Sequence, residues 1–459
     1  MSTTEQKTKR AALLISALSA FLIPYMGSST NIALPTIAKE FSMNAVLLSW
    51  VATAYLLSAA IFLVPFGKAA DIYGRKKILG LGLIIYTSSS FISAFAFSGI
   101  MLIILRAIQG IGGSMIFGTG IAILTSVFPK NERGKAIGFN LASVYLGLSL
   151  GPFLGGMLTH YFGWRSIFLF NIPIGVLAII LLYSRLKGEW ADAKGDKLDL
   201  IGSFTYLIGM IAIIYGFSQL PGRIGIILLI FGWAAIYIFI RLELKLKNPV
   251  LNLSLFKNNR TFLFSNMAAL INYSATYAVT FLLSLYLQYV KLLSPQEAGI
   301  ILVAQPVLMT IVSLFSGRLS DKIESRIIAS VGMALTVVGL AMLIVLNENT
   351  SIQYVVICLV ILGTGFGLFA SPNTNSIMSS VENRYYGVAS AMMGTMRLTG
   401  QMFSMGIATL VISVLIGRVQ LKLEYHTQLI LCIKTVIIIN VFLCTLGVFA
   451  SLARGKMHK

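Results

Sequence analysis

The stretch Gly67-Lys68-Ala69-Ala70-Asp71-Ile72-Tyr73-Gly74-Arg75-Lys76-Lys77 connects two apolar runs, residues 46–66 and 78–97. Each run is long enough to cross a bilayer as a helix. So short a connection predicts a helical hairpin, and its cations indicate that the turn lies in the cytoplasm. The two glycines fit a turn with unusual dihedrals or a close helix approach. Asp71 is expected to take a fixed partner among the cations.

A second copy of this stretch follows later in the chain. It reads Gly317-Arg318-Leu319-Ser320-Asp321-Lys322-Ile323-Glu324-Ser325-Arg326, and its first glycine lies 250 residues (317 − 67) after Gly67. Self-similarity at a fixed offset indicates an internal repeat. One copy could be an ordinary basic loop, but two copies at matched positions favour two related halves.

The pattern G-x-x-x-D-x-x-G-R-K-K between the second and third apolar runs resembles the signature loop of the major facilitator superfamily. The resemblance implies a transporter whose two halves rock against each other around a site at mid-depth. It also implies a gating role for five residues of the two loops: Gly67, Asp71, Gly74, Arg75 and Asp321.

Composition places the chain in the membrane. Of its 459 residues, 57% are hydrophobic and 11% are charged, whereas a soluble domain has about 25% charged residues. The formal charge of +20 does not indicate nucleic-acid binding, because most of the cations gather on one side of the predicted spans. By the positive-inside rule, this asymmetry predicts that both termini are cytoplasmic in a multi-pass protein of the plasma (cell inner) membrane.

Fourteen apolar segments predict an all-α polytopic membrane protein with fourteen transmembrane helices. Long polar connections at 185–199 and 241–260 set a central pair of helices apart from the other twelve. We predict a six-helix bundle over 1–190, a central pair with its linkers over 191–260 and a second six-helix bundle over 261–459. The major facilitator fold has this arrangement of two bundles. The central pair is expected to take no part in their movement, and by resemblance it points to the fourteen-helix drug/proton antiporter branch.

The fifth helix carries small residues at a spacing of four. Gly147, Gly151 and Gly155 share one face, along which another helix can approach closely. Pro152 removes a helix hydrogen bond at mid-depth. The run resembles the antiporter motif G-x-x-x-G-P-x-x-G-G, which implies that these four residues belong to a gating helix. The alternative is plain packing of small residues.

The fourth helix places an arginine inside the membrane. Arg106 and Gln109 share a face, and because intramembrane arginine is costly its side chain should meet protein or water. The run resembles the superfamily motif R-x-x-Q-G, which implies a role for Arg106 in proton coupling, together with Asp71. The alternative is a structural arginine bonded to backbone carbonyls of a neighbouring helix.

Polar and aromatic residues on several helices are candidates for a substrate cavity, although each could instead serve packing. They are Asn31, Tyr55, Gln109, Asn266, Tyr273, Tyr277, Gln305, Arg397 and Gln401. Glu132 and Arg133, in the connection before the fifth helix, are interpreted as gate-side ion-pair residues.

Acidic residues fall in or beside predicted loops. The resembling branch has an aspartate nine residues before Pro35, where this chain has Met26. A cavity carboxylate lets a cationic substrate compete with a proton. Without one, we expect dications to be poor substrates and neutral or weakly charged amphipaths to be preferred.

We therefore predict proton-coupled efflux of amphipathic drugs or toxic compounds. The alternatives are an exporter or uniporter of one neutral or anionic metabolite, and a non-transporting membrane sensor. The chain has no phosphate-binding loop and no cluster of metal ligands, and its three cysteines lie far apart. An enzyme, a cofactor and a metal site are not expected. The expected partners are a small-molecule substrate, protons and the lipid bilayer, with no nucleic acid, and the protein is expected to be a monomer.

Overall fold

The computed structural model describes residues 3–191, 193–195, 199–246, 256, 259–320, 323–382, 386–417, 419–421 and 425–455. These residues form fifteen helices, and the β pairing among them is a single bridge between Asn44 and Gln420. The helices are α1 (Thr3–Glu40), α2 (Ala45–Tyr73), α3 (Arg75–Ser93), α4 (Gly99–Val127), α5 (Lys130–Phe162), α6 (Arg165–Arg185), α7 (Leu200–Gln219), α8 (Arg223–Glu243), α9 (Arg260–Leu285), α10 (Pro295–Leu302), α11 (Ala304–Leu319), α12 (Ser325–Leu343), α13 (Ile352–Ser379), α14 (Tyr386–Leu415) and α15 (His426–Leu452). The all-α prediction is confirmed.

Helices α10 and α11 form one crossing. The break falls at Val303, because Pro306 has no N–H to bond the carbonyl of Leu302. Within the described chain, 13 helices are long and apolar enough to span a membrane. The remaining crossing is α3, which begins with three cations. It ends at Ser93, so the expected extension of this helix to residue 97 is wrong.

Polar residues cap the helices in an otherwise apolar chain. The side chain of Asn44 accepts from the N–H of Leu47 at 2.8 Å, and that of Asn259 accepts from the N–H of Phe262 at 2.9 Å. Ser294 and Glu297 form a reciprocal capping box at the start of α10. Such caps satisfy the N–H groups that the first helical turn leaves without partners.

Two groups of helices pack around the middle of the molecule. In the first, α5 packs on α1, and α4 packs on α2 and α3; in the second, α13 packs on α11 and α12, and α9 packs on α14 and α15. The central pair, α7 and α8, contacts α2 and α14. The ring centroids of Tyr215 on α7 and Trp50 on α2 lie 6.0 Å apart. The carbonyl of Leu220, just after α7, accepts a hydrogen bond from the hydroxyl of Ser413 on α14 at 3.0 Å. The central pair therefore touches one helix of each group.

The two groups meet closely at one end of the molecule. We call the end with the 67–77 turn the signature side and the other end the opposite side. On the opposite side the N–H of Ala45 donates to the carbonyl of Val419 at 2.9 Å. Ser284 donates to the carbonyl of Asn31 at 2.8 Å, and Gln288 donates to that of Ile32 at 2.9 Å. The opposite side is closed in this structure.

Candidate functional site

Arg106 is the best-connected polar residue inside the first group of helices. Its side chain is buried, and its Nε donates to the carbonyl of Val51 on α2 at 3.2 Å. Its Nη1 donates to the side-chain carbonyl of Gln109, whose amide nitrogen donates to Ser90 on α3 at 2.6 Å. Arg106 and Gln109 together thus connect three helices at a depth where unpaired polar groups are costly.

The charge of Arg106 faces an aromatic ring. Its guanidinium carbon lies 4.4 Å from the ring centroid of Tyr55, within the range of a cation–π interaction. Its described contacts are the backbone carbonyl of Val51, the side-chain amide of Gln109 and the ring of Tyr55. The bond to a backbone carbonyl of a neighbouring helix, the structural alternative from the sequence, is present. A coupling role for Arg106 stays a prediction.

A second site lies between the two groups of helices. Tyr145 of α5 packs in one buried cluster with Phe366 of α13. The rings of Phe366 and Tyr273 are 5.4 Å apart, and the guanidinium of Arg397 lies 5.5 Å from the ring of Tyr273 and 5.8 Å from that of Phe117. We call these five residues the central aromatic site. It combines flat apolar surfaces with one fixed positive charge.

The predicted cavity residues are divided among several environments. Tyr273 and Arg397 belong to the central aromatic site, and the hydroxyl of Tyr277 lies near Gly27. Tyr55 and Gln109 instead contact Arg106. Asn31, Asn266 and Gln401 are buried, and Gln305 approaches Gly363 through its backbone carbonyl.

Sequence reasoning did not identify three members of this site. Tyr145, Phe366 and Phe117 lie on helices from both groups, and nothing in their local sequence distinguishes them from core aromatics. The one usable signal is the position of Tyr145 two residues before Gly147 in the small-residue motif. Only the packing of helices that are distant in sequence brings the three together.

The small-residue face of α5 packs against α1. A methyl group on Gly147 would lie 2.5 Å from the carbonyl oxygen of Phe21, and one on Gly151 would lie 2.5 Å from the Cβ of Ser28. Ser29 donates to the carbonyl of Gly151 at 2.9 Å. The close approach that the spacing of four predicts is therefore confirmed. A role in gating stays a prediction.

The other face of α5 meets the second group of helices. A methyl group on Gly156 would lie 2.6 Å from the carbonyl oxygen of Pro295 on α10. One on Gly299 of α10 would clash with the carbonyl oxygen of Pro152. These contacts bring two backbones together across the boundary on the opposite side.

Gly74 alone makes the turn on the signature side. Its φ of 118° lies where side chains are strained. Gly67 lies inside α2, and no atom comes within 4 Å of where its Cβ would be. The expectation that Gly67 serves the turn is wrong, because α2 continues to Tyr73.

Asp71 takes the fixed partner that the sequence predicts. Its Oδ1 accepts from Nε of Arg75 at 3.0 Å and from Nη2 at 2.7 Å, while Nη1 of Arg75 donates to Ser126 on α4 at 2.6 Å. The carbonyl of Asp71 accepts from the N–H of Ala193, and the N–H of Arg75 donates to the carbonyl of Trp190. The turn is thereby tied to α4 and to the linker that precedes α7.

Glu132 and Arg133 lie in the first turn of α5, which begins at Lys130, and not in a connection before the fifth helix as the sequence suggested. Glu132 pairs with Lys9 of α1 at 2.9 Å, and Nε of Arg133 donates to the carbonyl of Phe128 at 2.9 Å. Both of these contacts lie within the first group of helices. Asp321 lies outside the described residues.

Most of the chain carries a decisive similarity to one family. The model of the Major Facilitator Superfamily matches residues 16–405. The chain belongs to the Major Facilitator Superfamily. It is a transporter and not an enzyme.

Relatives within the superfamily differ in what their names say they carry. A riboflavin transporter of Clostridioides difficile is 34% identical over 394 residues, covering 85% of each chain. A multidrug resistance protein, Stp, of Mycobacterium tuberculosis is 29% identical and covers 92% of this chain and 79% of its own. The multidrug transporter MdtP of Bacillus subtilis is 28% identical and covers 88% of this chain and 75% of its own.

Solved structures share the major facilitator fold. A bacterial homologue of the human lysosomal transporter Spinster, in an inward-facing and unoccupied conformation, matches with a TM-score of 0.67. It is 17% identical, and the match covers 99% of this chain and 98% of that one. The nucleoside transporter NupG matches with a TM-score of 0.65 at 13% identity, covering 97% of this chain and 99% of its own. Both establish the fold only.

Metal-binding side chains do not gather into a cluster over the part of the chain that the structure describes. Across the residues that the structure describes, no group of three or more His, Cys, Asp or Glu side chains could hold a metal ion. The three cysteines are free and buried.

Replacing Asp71 by asparagine is expected to lower transport about threefold while expression is retained. The change removes a charge-assisted pair with Arg75 that is partly exposed, and such a pair is worth about 0.3–1 kcal/mol. Asp321→Asn should be milder, because Glu324 and Ser325 replace the glycine and cation found beside Asp71. Initial rates in vesicles, normalised to protein amount, measure both. Equal losses of transport in the two variants would contradict the expected difference between the two loops.

Proposed function

We propose that this transporter is a proton-coupled exporter of amphipathic, neutral or weakly charged compounds that works by alternating access. The observation that carries the proposal is the central aromatic site. Its rings offer flat apolar contact, and its one fixed charge is the positive guanidinium of Arg397. The names of two relatives, both multidrug proteins, support the same substrate class.

Alternating access is supported by the way the two groups of helices meet. They close on the opposite side through backbone contacts at Ala45 and Val419 and through Gly156 and Gly299. We propose that the bundles over 1–190 and 261–459 rock about this boundary, with α5 as a gating helix. The central pair over 191–260 would remain in contact with both bundles.

Proton coupling in this proposal uses groups outside the aromatic site. The described carboxylates lie at or near helix ends, and Met26 at the family's aspartate position is buried, with its sulfur accepting from Asn171 at 2.8 Å. Asp71 and Glu132 are the proposed proton-linked groups, with Arg106 influencing the packing around Tyr55. We further propose that the transporter acts as a monomer.

A second candidate function is export or uniport of one neutral or anionic metabolite. The positive charge of Arg397 beside stacked rings favours a flat, neutral or anionic molecule. A relative is named a riboflavin transporter, and riboflavin is a compound of that shape. A transport panel distinguishes the two functions, because a single-metabolite carrier would move one compound and leave the dyes behind.

With an imposed pH gradient, we expect wild-type vesicles to transport a neutral drug and a monovalent dye. A divalent dye should be transported at least about tenfold more slowly than these two. A dication entering the site would face Arg397 with no carboxylate to offset it. Met26→Asp supplies a carboxylate beside Asn171 and should raise divalent-dye transport selectively. The measurement is dye fluorescence with and without the gradient. Efficient divalent-dye export by wild type would contradict the proposed charge preference.

Orientation is proposed from the distribution of charge, with both termini and the signature side in the cytoplasm of the plasma (inner) membrane. A cysteine at Ala193 should resist an impermeant thiol reagent applied from outside, whereas one at Gln296 should react. The native cysteines are buried and should contribute little background. The opposite reactivity at either position would contradict the proposed orientation.

A further inference from the structure

Helices α9 and α13 run side by side in opposite directions. The side-chain amide of Asn259 donates to the carbonyl of Ser380 at 2.7 Å. The rings of Tyr273 and Phe366 lie 5.4 Å apart. From the first contact to the second, α9 advances fourteen residues (273 − 259) and α13 goes back fourteen (380 − 366). The two contacts therefore set the register of the helices over about four turns.

On each helix an asparagine lies midway between the two contacts. Asn266 is seven residues from both contacts on α9, and Asn373 is seven residues from both contacts on α13. Seven residues are about two turns and return to the same helix face. The register therefore places the two asparagines at the same level of α9 and α13. They are 0% and 3% exposed.

These side chains carry oxygen atoms without partners. The Oδ1 atoms of Asn266 and Asn373 are buried with no hydrogen-bond donor, and so is the Oγ of Ser376 one turn further along α13. The amide nitrogen of Asn266 donates within its own helix, to the carbonyl of Phe262 at 2.9 Å. A buried acceptor left unpaired destabilises the folded protein. Apolar side chains would pack at these positions without that cost.

The asparagine pair lies next to the central aromatic site. Two turns of helix, about 10 Å, separate it from the rings of Tyr273 and Phe366. A bound metal cation is disfavoured, because the three acceptors are neutral and Arg397 already brings a positive charge to this region. A ligand with N–H or O–H donors satisfies the acceptors without adding charge.

We propose that Asn266 and Asn373 form a hydrogen-bonding subsite for planar aromatic substrates that carry an amide or imide edge. This inference rests on the proposed function and narrows its substrate class. The flat part of such a ligand stacks on Tyr273 and Phe366, and its N–H donates to an asparagine carbonyl. The pair is enclosed in this structure, so binding accompanies the movement of the helices that alternating access requires.

The chemistry of the subsite predicts discrimination between close analogues. A site built to hydrogen-bond a ligand rejects an analogue that cannot make the bond, because the buried polar groups then stay unpaired. An apolar pocket, in contrast, accepts an added methyl group readily if space allows. The sensitive comparison is therefore an imide against the same molecule with its imide nitrogen methylated.

The test measures binding of lumichrome, a fluorescent planar tricycle with an imide edge, and of its imide-N-methyl derivative to the purified full-length transporter. Wild type should bind lumichrome at least about tenfold more tightly than the methylated probe. Asn266→Leu and Asn373→Leu should each weaken lumichrome binding about tenfold and leave the methylated probe within about twofold. Asn375→Leu is the matched control, because Asn375 is exposed on the same helix and donates to Ser320. It should change neither affinity.

Three results would overturn the subsite. Wild type could bind both probes equally or neither probe. The leucine variants could lose both probes to the same extent, which indicates a folding effect and is checked by their melting temperatures. The leucine variants could also raise the melting temperature without changing either affinity. That result would indicate that the asparagine oxygens bond a buried water and no substrate.

Dye export from the same preparation separates the two proposals. Wild type that exports a monovalent dye but does not discriminate between the probes refutes the subsite and retains the proposed exporter. Wild type that discriminates between the probes but moves no dye retains the subsite and favours a single-metabolite carrier. Protein that neither exports a dye nor binds a probe refutes both.

Discussion

Arg106→Leu is expected to reduce transport by at least about tenfold and to lower the melting temperature. The substitution removes the second donor to the carbonyl of Val51, which keeps its helical partner within α2, and leaves the side-chain carbonyl of Gln109 without the donor that Arg106 supplies. It also removes the cation over the ring of Tyr55. Each buried acceptor left unpaired costs about 1–3 kcal/mol, and the bonds lost connect α2 and α4. Initial rates in vesicles and melting curves in detergent measure the two effects.

The lysine variant separates charge from geometry. Arg106→Lys keeps the positive charge but cannot donate to Val51 and Gln109 from one planar fork. We expect it to lose transport nearly as fully as the leucine variant. Arg241→Leu is the control, because Arg241 is exposed at the end of α8 and donates to Tyr237 of the same helix. Full activity in Arg106→Lys would show that charge alone matters at this position.

Gly299→Ala is expected to abolish most transport while the protein still folds. The added methyl group clashes with the carbonyl oxygen of Pro152 across the boundary between the bundles. Moving the bundles apart on the opposite side relieves the clash, so the variant should be held away from the closed arrangement. Reactivity of a cysteine introduced at Gln296 should rise, and vesicle transport should fall at least about tenfold.

Gly151→Ala makes the matched comparison because its clash lies within one bundle. The methyl group would lie 2.5 Å from the Cβ of Ser28 and 3.1 Å from the carbonyl oxygen of Tyr25, both on α1. Rocking cannot separate α1 from α5, so the expected loss is stability, about 1–3 kcal/mol. Gly138→Ala is the control, because no atom lies within 4 Å of its Cβ position. Intact transport in Gly299→Ala would contradict the gating role of this contact.

The sequence by itself determined the class of fold and the spacing of its helices. Apolar runs of sufficient length specify helices in lipid, because every backbone group must be satisfied inside its own segment. The spacing of four from Gly147 to Gly155 predicted the close packing of α5 correctly. The turn at Gly74 and the pair between Asp71 and Arg75 followed from residues a few positions apart. These features are local, so a local pattern suffices to predict them.

The tertiary structure alone decided which distant residues share a site. Tyr145, Phe117 and Phe366 come from three helices in both bundles, and their local sequence does not show that they meet. The break between α10 and α11, the ordinary helical position of Gly67 and the contacts of the central pair with both bundles were likewise not predictable. Hydropathy places a residue in the membrane but leaves open which way its helix faces and which helix it meets. That choice is made by side-chain packing between helices far apart in sequence.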